Sequence, residues 1–185
     1  SENRQAILDA IPMAKPIPSK PSLSVVPHNL ETTLVLRNLG VEAPSPITHY
    51  YKWPGRFKPM SHQRDTSAFL TMHKKCIVLN SMGTGKTQAS LWAADYLMEI
   101  GAIKRVLIIS PLSTLNGVWG DAIFASFTKR TYAVLHGTSE KRKKLMKEGA
   151  DFCIVNHDGF EIIAAEAAGL FDLIIVDEAA ALRNP

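Results

Sequence analysis

Cysteine is scarce in this chain and long apolar runs are absent from it. Only Cys76 and Cys153 occur among 185 residues, and neither stands in a CxxC or Cys/His spacing. A disulfide framework or a zinc site is therefore not expected, and a reducing compartment fits best. No apolar run approaches the roughly 18 residues of a membrane helix, and residues 1–20 lack the apolar core of a signal peptide. These absences predict a cytoplasmic protein without a membrane partner.

Proline is sparse after the first third, and acidic residues are sparse until the end. Nine of the 11 prolines lie in residues 1–59, where they interrupt helices and central strands. Residues 1–150 carry 20 Lys/Arg against 10 Asp/Glu, whereas residues 151–185 carry one against seven. The net charge of +4 thus combines a basic portion, suited to phosphates, with an acidic end.

The proline pattern predicts an irregular N-terminal arm over residues 1–58, with a short helix near 31–39. An aromatic and basic cluster ends this arm: Tyr50, Tyr51, Trp53, Arg56, Phe57 and Lys58. Two interpretations stay open for the cluster. The first is packing of the arm against a core, which we favour, and the second is stacking on nucleic-acid bases.

Residues 59–185 alternate between helical patterns and short β-branched runs. The patterns predict helices near 61–72, 86–100, 114–126, 138–148 and 158–167, and strands near 76–79, 105–109, 131–135, 152–155 and 173–176. Strands that alternate with helices pair in parallel, with helices on both faces of the sheet. We predict an α/β fold with a doubly wound, mostly parallel sheet that binds its ligand at the carboxyl ends of the strands.

A glycine-rich segment, Asn80-Ser81-Met82-Gly83-Thr84-Gly85-Lys86-Thr87, has the composition of a phosphate-binding loop. Gly83 and Gly85 permit positive φ, so that successive N–H groups can surround a polyphosphate. Lys86 would reach the β- and γ-phosphates and Thr87 would ligate Mg²⁺. Asparagine at position 80 replaces the first glycine of the general pattern.

Two further signals complete a nucleotide site. Asp177 and Glu178 follow the apolar run 173–176, about 90 residues after the loop. Asp177 would hold Mg²⁺ and Glu178 would polarise the attacking water. Gln63 lies ahead of the loop, and its amide both donates and accepts, as reading an adenine edge requires.

These segments occur in the order typical of the first RecA-like lobe of superfamily-two helicases. Residues 109–113 with Trp119, residues 154–158 and residues 177–180 extend the resemblance, which covers about residues 50–185. The chain looks most like the switch/sucrose-non-fermenting DNA translocases and is similar to bacteriophage helicase-like proteins of that branch, which would place it in a host cytoplasm. It departs from the branch at Asn80 and Ser81, where acidic residues are usual, and at Ala180, where histidine is usual.

The resemblance implies ATP and Mg²⁺ as cofactors, and DNA, more specifically duplex DNA, as partner. It implies nucleotide binding by Gln63, Met82, Gly83, Thr84, Gly85, Lys86 and Thr87, catalysis by Lys86 and Glu178, and metal binding by Thr87 and Asp177. It places Pro111, Ser113, Thr114, Asn116, Asn156 and His157 along a nucleic-acid track. The basic run at 141–147 is either a solvated helix face or a further phosphate contact. His157 has no companion ligands for a metal.

The resulting prediction is the ATP-binding lobe of a DNA-dependent ATPase that moves along or remodels DNA. A motor of this class needs a second RecA-like lobe carrying arginine fingers, so we expect a piece of a longer protein that hydrolyses ATP poorly alone. Two alternatives stay open. One is a phosphate-loop kinase or other NTPase acting on a small acceptor, and the other is a non-catalytic nucleotide- or DNA-binding module.

Overall fold

The computed structural model describes residues 2–81 and 83–179. In the arm it contains α1 (Glu2–Ala10), β1 (Lys15–Ile17), β2 (Lys20–Val25), α2 (Leu30–Asn38) and α3 (Ile47–Tyr50). After the arm come α4 (Ser61–Met72), α5 (Lys86–Glu99), β3 (Val106–Ser110), α6 (Asp121–Ser126), β4 (Tyr132–Val134), α7 (Ser139–Lys147), β5 (Phe152–Asn156), α8 (His157–Ala167) and β6 (Leu173–Val176). Within residues 2–81 and 83–179 no helix has the length and apolar character that a membrane span requires.

The main sheet is parallel and has the strand order β4-β5-β3-β6. β3 pairs with β5 on one side, Ser110 opposite Asn156, and with β6 on the other, Ile109 opposite Val176. Every residue of β3 and β5 is buried, as expected for central strands covered on both faces. The predicted doubly wound α/β fold is confirmed.

Two apolar clusters lie on the two faces of this sheet. One contains Trp92, Ile108 and Trp119 together with side chains of α5 and α6, and the other contains Leu107, Val155 and Ile163 under α7 and α8. Alternate residues of β3 enter opposite clusters because successive strand side chains point to opposite faces. Fully burying each Leu or Ile stabilises the fold by about 1.5–3 kcal/mol.

The strand predicted at 76–79 is wrong. The segment between α4 and the glycine-rich loop is neither helix nor strand, and Ile77 and Leu79 are 81% and 92% exposed. Among the described strands the sheet ends at β6, whose Ile174 and Val176 are also exposed. A β-branched run has strand propensity, but a strand forms only where a neighbour completes the ladder of hydrogen bonds. The loop therefore follows an unpaired segment.

The single helix predicted at 114–126 is also wrong in detail. Residues Leu112–Thr114 form a 3₁₀ turn, Leu115–Gly120 form a π-helical turn, and only α6 is a regular helix. Leu115 and Trp119 are nevertheless buried, so the apolar pattern indicated the correct face. π-helical turns often occur at functional sites because they re-aim side chains within a helix.

The arm packs against α4 and α5. Tyr51 is 5% exposed and donates a hydrogen bond of 2.6 Å from its hydroxyl to Oδ2 of Asp95. The indole N–H of Trp92 donates to the carbonyl oxygen of Pro54 at 2.7 Å. Trp53 packs edge-on against Trp92. For Tyr51 and Trp53 the structure supports the packing interpretation, whereas Tyr50 and Phe57 are 62% and 73% exposed.

Candidate functional site

The glycine-rich loop leads directly into α5. Gly83 and Gly85 have φ of 76° and 73°, in the left-handed region that glycine enters without strain. Gly85 is the N-cap residue of α5, and no side chain caps the helix there. The first N–H groups of a helix have no acceptor within the helix, and they carry the positive end of its dipole. Met82, assigned to the same loop, lies outside the described residues.

Lys86 occupies the first position of α5 and turns its ammonium back into the loop. Its Nζ donates to the carbonyl oxygens of Asn80 and Ser81 at 2.8 and 2.9 Å. Thr84 closes the same turn, since its hydroxyl donates to the carbonyl oxygen of Ser81 at 2.8 Å. Within residues 2–81 and 83–179 Lys86 has no carboxylate partner. The ammonium is thus held inside the loop by neutral acceptors that an anion can replace.

Helix α4 lies against this loop through two adjacent residues. Oε1 of Gln63 accepts from the backbone N–H of Met60 at 3.0 Å, while its Nε2 lies where a side chain at Gly85 would be. Nε2 of His62 is 3.1 Å from the carbonyl oxygen of Thr84. The structure therefore brings Gln63 next to the predicted phosphate loop, about 20 residues away in sequence. The proposed contact of Gln63 with adenine stays a prediction.

Asp177 and Glu178 follow β6 at the carboxyl edge of the sheet. The N–H of Asp177 donates to the carbonyl oxygen of Ile109 at 2.8 Å, which extends the ladder between β6 and β3. Its Oδ2 accepts from the indole N–H of Trp119 at 3.1 Å, and its carbonyl oxygen lies 3.1 Å from Nε2 of His157. Glu178 has φ of 50°. Between residues 83–87 and 177–178 no hydrogen bond is formed.

Sequence reasoning gave Trp119 no role in the site, although the residue belonged to the resemblance. Trp119 is 2% exposed, and a buried indole N–H needs an acceptor. The signal in the sequence was the helical apolar pattern of residues 114–126, which indicated that Trp119 is buried. The acceptor lies 58 residues away, so its identity depends on the sheet.

The predicted nucleic-acid residues after β3 lie in the irregular turns at its carboxyl end. Ser113 and Asn116 are exposed, and the hydroxyl of Thr114 donates to the carbonyl oxygen of Pro111 at 2.9 Å. Ser113 and Asn116 are therefore accessible to a phosphate backbone, and the role of all four residues stays a prediction.

The predicted nucleic-acid residues at the carboxyl end of β5 have internal partners. Asn156 is 8% exposed, and its Oδ1 accepts from Nη1 of Arg142 at 3.2 Å. Arg142, also 8% exposed, donates further to the carbonyl oxygens of Leu135 and Gly137 at 2.6 and 2.9 Å. Gly159 leaves room for this guanidinium, because a Cβ there would overlap Nη1. Arg142 of α7 therefore ties together the carboxyl ends of β4 and β5, a role that the basic run at 141–147 did not indicate.

The remaining basic residues of α7 divide into two groups. Lys143 forms an ion pair with Glu166 of α8. Lys141, Lys144 and Lys147 are exposed. A phosphate contact from this helix would thus come from these three lysines.

The loop fits a polyphosphate. It combines two left-handed glycines with the uncapped start of α5 and with an ammonium bonded to two carbonyl oxygens. These groups provide donors and positive charge at one place. Thr87 follows Lys86 on the first turn of α5, and its hydroxyl suits a hard divalent cation, as does the carboxylate of Asp177.

The fold places the chain in a known class. Its structure is similar to the SWI2/SNF2 ATPase core of Sulfolobus solfataricus, which was solved in complex with double-stranded DNA, with a TM-score of 0.62 at 21% sequence identity. The match covers 71% of this chain and 28% of that chain, so the present chain spans under a third of that protein. The fold is RecA-like, as predicted.

The sequence identifies the family. The profile of DEAD/DEAH box helicases matches residues 60–184, about two thirds of the chain. The chain belongs to this family and is the first RecA-like lobe of a superfamily-two helicase. No curated protein matches it significantly. The resemblance to bacteriophage proteins stays a prediction.

Proposed function

We propose that this lobe binds ATP with Mg²⁺ and forms part of a DNA-dependent ATPase that translocates along or remodels duplex DNA. The observation that carries the proposal is the loop at α5, with Lys86 turned into it and Gln63 packed against Gly85. Family membership supports ATP hydrolysis, and the similarity to a DNA-bound SWI2/SNF2 core supports DNA as the track.

The residues of the loop have separate tasks in this proposal. The N–H groups at the start of α5 bind phosphate oxygens, and Lys86 exchanges the carbonyl oxygens of Asn80 and Ser81 for oxygens of the β- and γ-phosphates. Gln63 presents its amide to the adenine edge. Thr87 and Asp177 hold Mg²⁺, which when bound neutralises charge on the phosphates.

Glu178 is the catalytic carboxylate of the proposal. It orients the attacking water in line with the γ-phosphate and accepts a proton from it. The described residues of the glycine-rich loop and of β6 contain no carboxylate, so Glu178 is the carboxylate that adjoins Asp177. Turnover therefore depends on how the backbone presents this residue.

The proposal includes parts outside this lobe. A second RecA-like lobe of the same longer protein supplies arginine fingers, which contribute on the order of 10³–10⁵ in rate in phosphoryl transfer. Within the present chain we propose an arm over residues 1–58 and the ATP-binding lobe over 59–185. DNA would follow the edge formed by Ser113, Asn116 and their neighbours, with phosphate contacts that do not read sequence.

The test is an ATPase assay on the complete protein with duplex DNA, single-stranded DNA and RNA at fixed salt. We expect the greatest stimulation by duplex DNA, loss of ATP binding in Lys86→Ala, and retained binding without turnover in Glu178→Gln. Lys20→Ala, an exposed lysine of β2, is the matched control. Full turnover in Lys86→Ala contradicts the phosphate role, and phosphate transfer to a small acceptor without DNA stimulation favours a kinase.

A further inference from the structure

Glu178 has a backbone conformation that an L-residue rarely adopts. Its φ is 50°, and the only other described non-glycine residue with positive φ is Trp53. The left-handed region brings Cβ close to the following carbonyl oxygen and costs free energy. Such a residue keeps its conformation only when its surroundings hold the backbone in place, and it is often found at functional sites.

Contacts from three separate segments hold the residue before it. Asp177 is bound through its N–H by Ile109 at 2.8 Å, through its carboxylate by Trp119 at 3.1 Å, and through its carbonyl oxygen by His157 at 3.1 Å. The third contact differs from the others. The carbonyl group of Asp177 belongs to the rigid peptide plane that contains the nitrogen of Glu178, so its orientation is tied to φ of Glu178.

The chemistry of this contact identifies the ring nitrogen of His157 that carries the hydrogen. A carbonyl oxygen only accepts, so Nε2 of His157 carries the hydrogen and donates it to Asp177. We propose that His157 is a positioning residue, which fixes the peptide between Asp177 and Glu178 and so presents the Glu178 carboxylate to the attacking water. The inference rests on the proposed function, in which Glu178 is catalytic.

The fold explains why the side chain at position 157 must be long. His157 follows β5, Asp177 follows β6, and β3 lies between them. Neighbouring strands lie about 4.8 Å apart, so the two residues begin about 10 Å apart at the sheet edge. Glutamine carries its amide nitrogen as many bonds from Cα as Nε2 of histidine, whereas asparagine is one bond shorter. Phenylalanine keeps the ring and lacks the donor.

The different lengths and donors of these side chains define the experiment, which uses the complete protein. We expect His157→Phe and His157→Asn to lower kcat about tenfold, which is about 1.4 kcal/mol in the barrier, with the KM for ATP within twofold. His157→Gln should stay within about threefold of the wild-type kcat. A rise in KM without loss of kcat, or equal losses in the Gln and Asn variants, overturns the proposal, because a donor at the right distance would then not matter.

A second readout needs neither ATP nor turnover. The indole N–H of Trp119 donates to Asp177, so its ¹⁵N–¹H NMR signal reports on the turn at residues 177–178. The signal that disappears in Trp119→Phe is the signal of Trp119. In the 185-residue chain His157→Phe should shift the Trp119 signal and leave those of Trp53 and Trp92 in place, whereas His157→Gln should not shift it. An unmoved Trp119 signal in the Phe variant contradicts the positioning role, and shifts of all three signals indicate general loss of structure and contradict it too.

The proposed function and this inference can fail separately. If Lys86→Ala and Glu178→Gln keep full turnover, the ATPase proposal fails, and the NMR comparison still decides whether His157 holds the turn. If both variants lose turnover while His157→Phe matches wild type, the ATPase proposal stands and His157 has no positioning role.

Discussion

Arg130→Met tests the buried ion pair that ties α5 to the segment between α6 and β4. Nε of Arg130 lies 2.6 Å from Oδ1 of Asp95, whose side chain is 6% exposed. The hydroxyl of Tyr51 donates a hydrogen bond of 2.6 Å to Oδ2 of Asp95. Burial, and then the carboxylate of Asp95, raise the pKa of Tyr51 far above its ordinary value, so the hydroxyl stays protonated and donates. Asp95 thus depends on two donors, one for each carboxylate oxygen.

The magnitude follows from what the substitution leaves behind. Removing one partner of a buried ion pair costs about 3–5 kcal/mol, mainly because a charge is left buried without compensation. The side chain of Arg130 is 20% exposed, so water can reach part of the vacated space. We therefore expect Arg130→Met to lower the free energy of unfolding by about 2–3 kcal/mol.

Urea unfolding monitored by tryptophan fluorescence measures this change. In the double variant Arg130→Met with Asp95→Asn the uncompensated charge is gone, so the total loss should be smaller than the sum of the single losses by about 1 kcal/mol or more. Lys129→Met, an exposed neighbour, should change the stability by less than about 0.5 kcal/mol. A loss under about 1 kcal/mol in Arg130→Met, or strict additivity, would refute the reasoning.

Three further substitutions test other contacts. Gly85→Ala introduces a Cβ at φ of 73° that overlaps Gln63, so affinity for a fluorescent ATP analogue should fall by about tenfold or more, and wild-type affinity would contradict the site. Backbone N–H groups of residues 104–105 hold the pKa of Asp172 below its ordinary 3.8, so its stabilisation is present above that pH and is lost as pH falls through the lower folded-state value. Asp172→Asn should therefore cost about 0.5–1 kcal/mol at pH 7, discounted for exposure, and progressively less in acid urea titrations; a constant difference would exclude the linkage. The buried hydroxyl of Ser110 has no partner among the described residues, so Ser110→Ala should raise the unfolding free energy by about 1 kcal/mol, and a lowered value would show that water satisfies it.

Elements with a local signal were predicted well. β3, β5 and β6 lie within one residue of their predicted runs, and α4 begins and ends as predicted. Apolar runs of this length are buried in parallel sheets, and the capping positions of helices depend on a few adjacent residues. The short helix in the arm was likewise found at α2, where Asn29 accepts from the N–H of Thr32 at 2.9 Å.

Two segments with a clear local signal were nevertheless predicted wrongly. Residues 76–79 are as apolar and β-branched as the core of the buried strands, yet they lack a neighbouring strand in the described structure. Residues 112–120 have a helical apolar pattern, but the chain turns irregularly there to bring Leu115 and Trp119 under the sheet. Pairing and packing partners distant in sequence decide both cases.

The sequence by itself determined the glycine-rich loop, because the spacing of Gly83, Gly85 and Lys86 acts on the backbone within a few residues. It also indicated the acidic pair after the last strand and, through the family profile, the helicase family. Only the tertiary structure decided how the turn at residues 177–178 is held. The contacts of Trp119 and His157 with Asp177 join residues 58 and 20 positions apart, and they exist because β5, β3 and β6 end at one edge of the sheet.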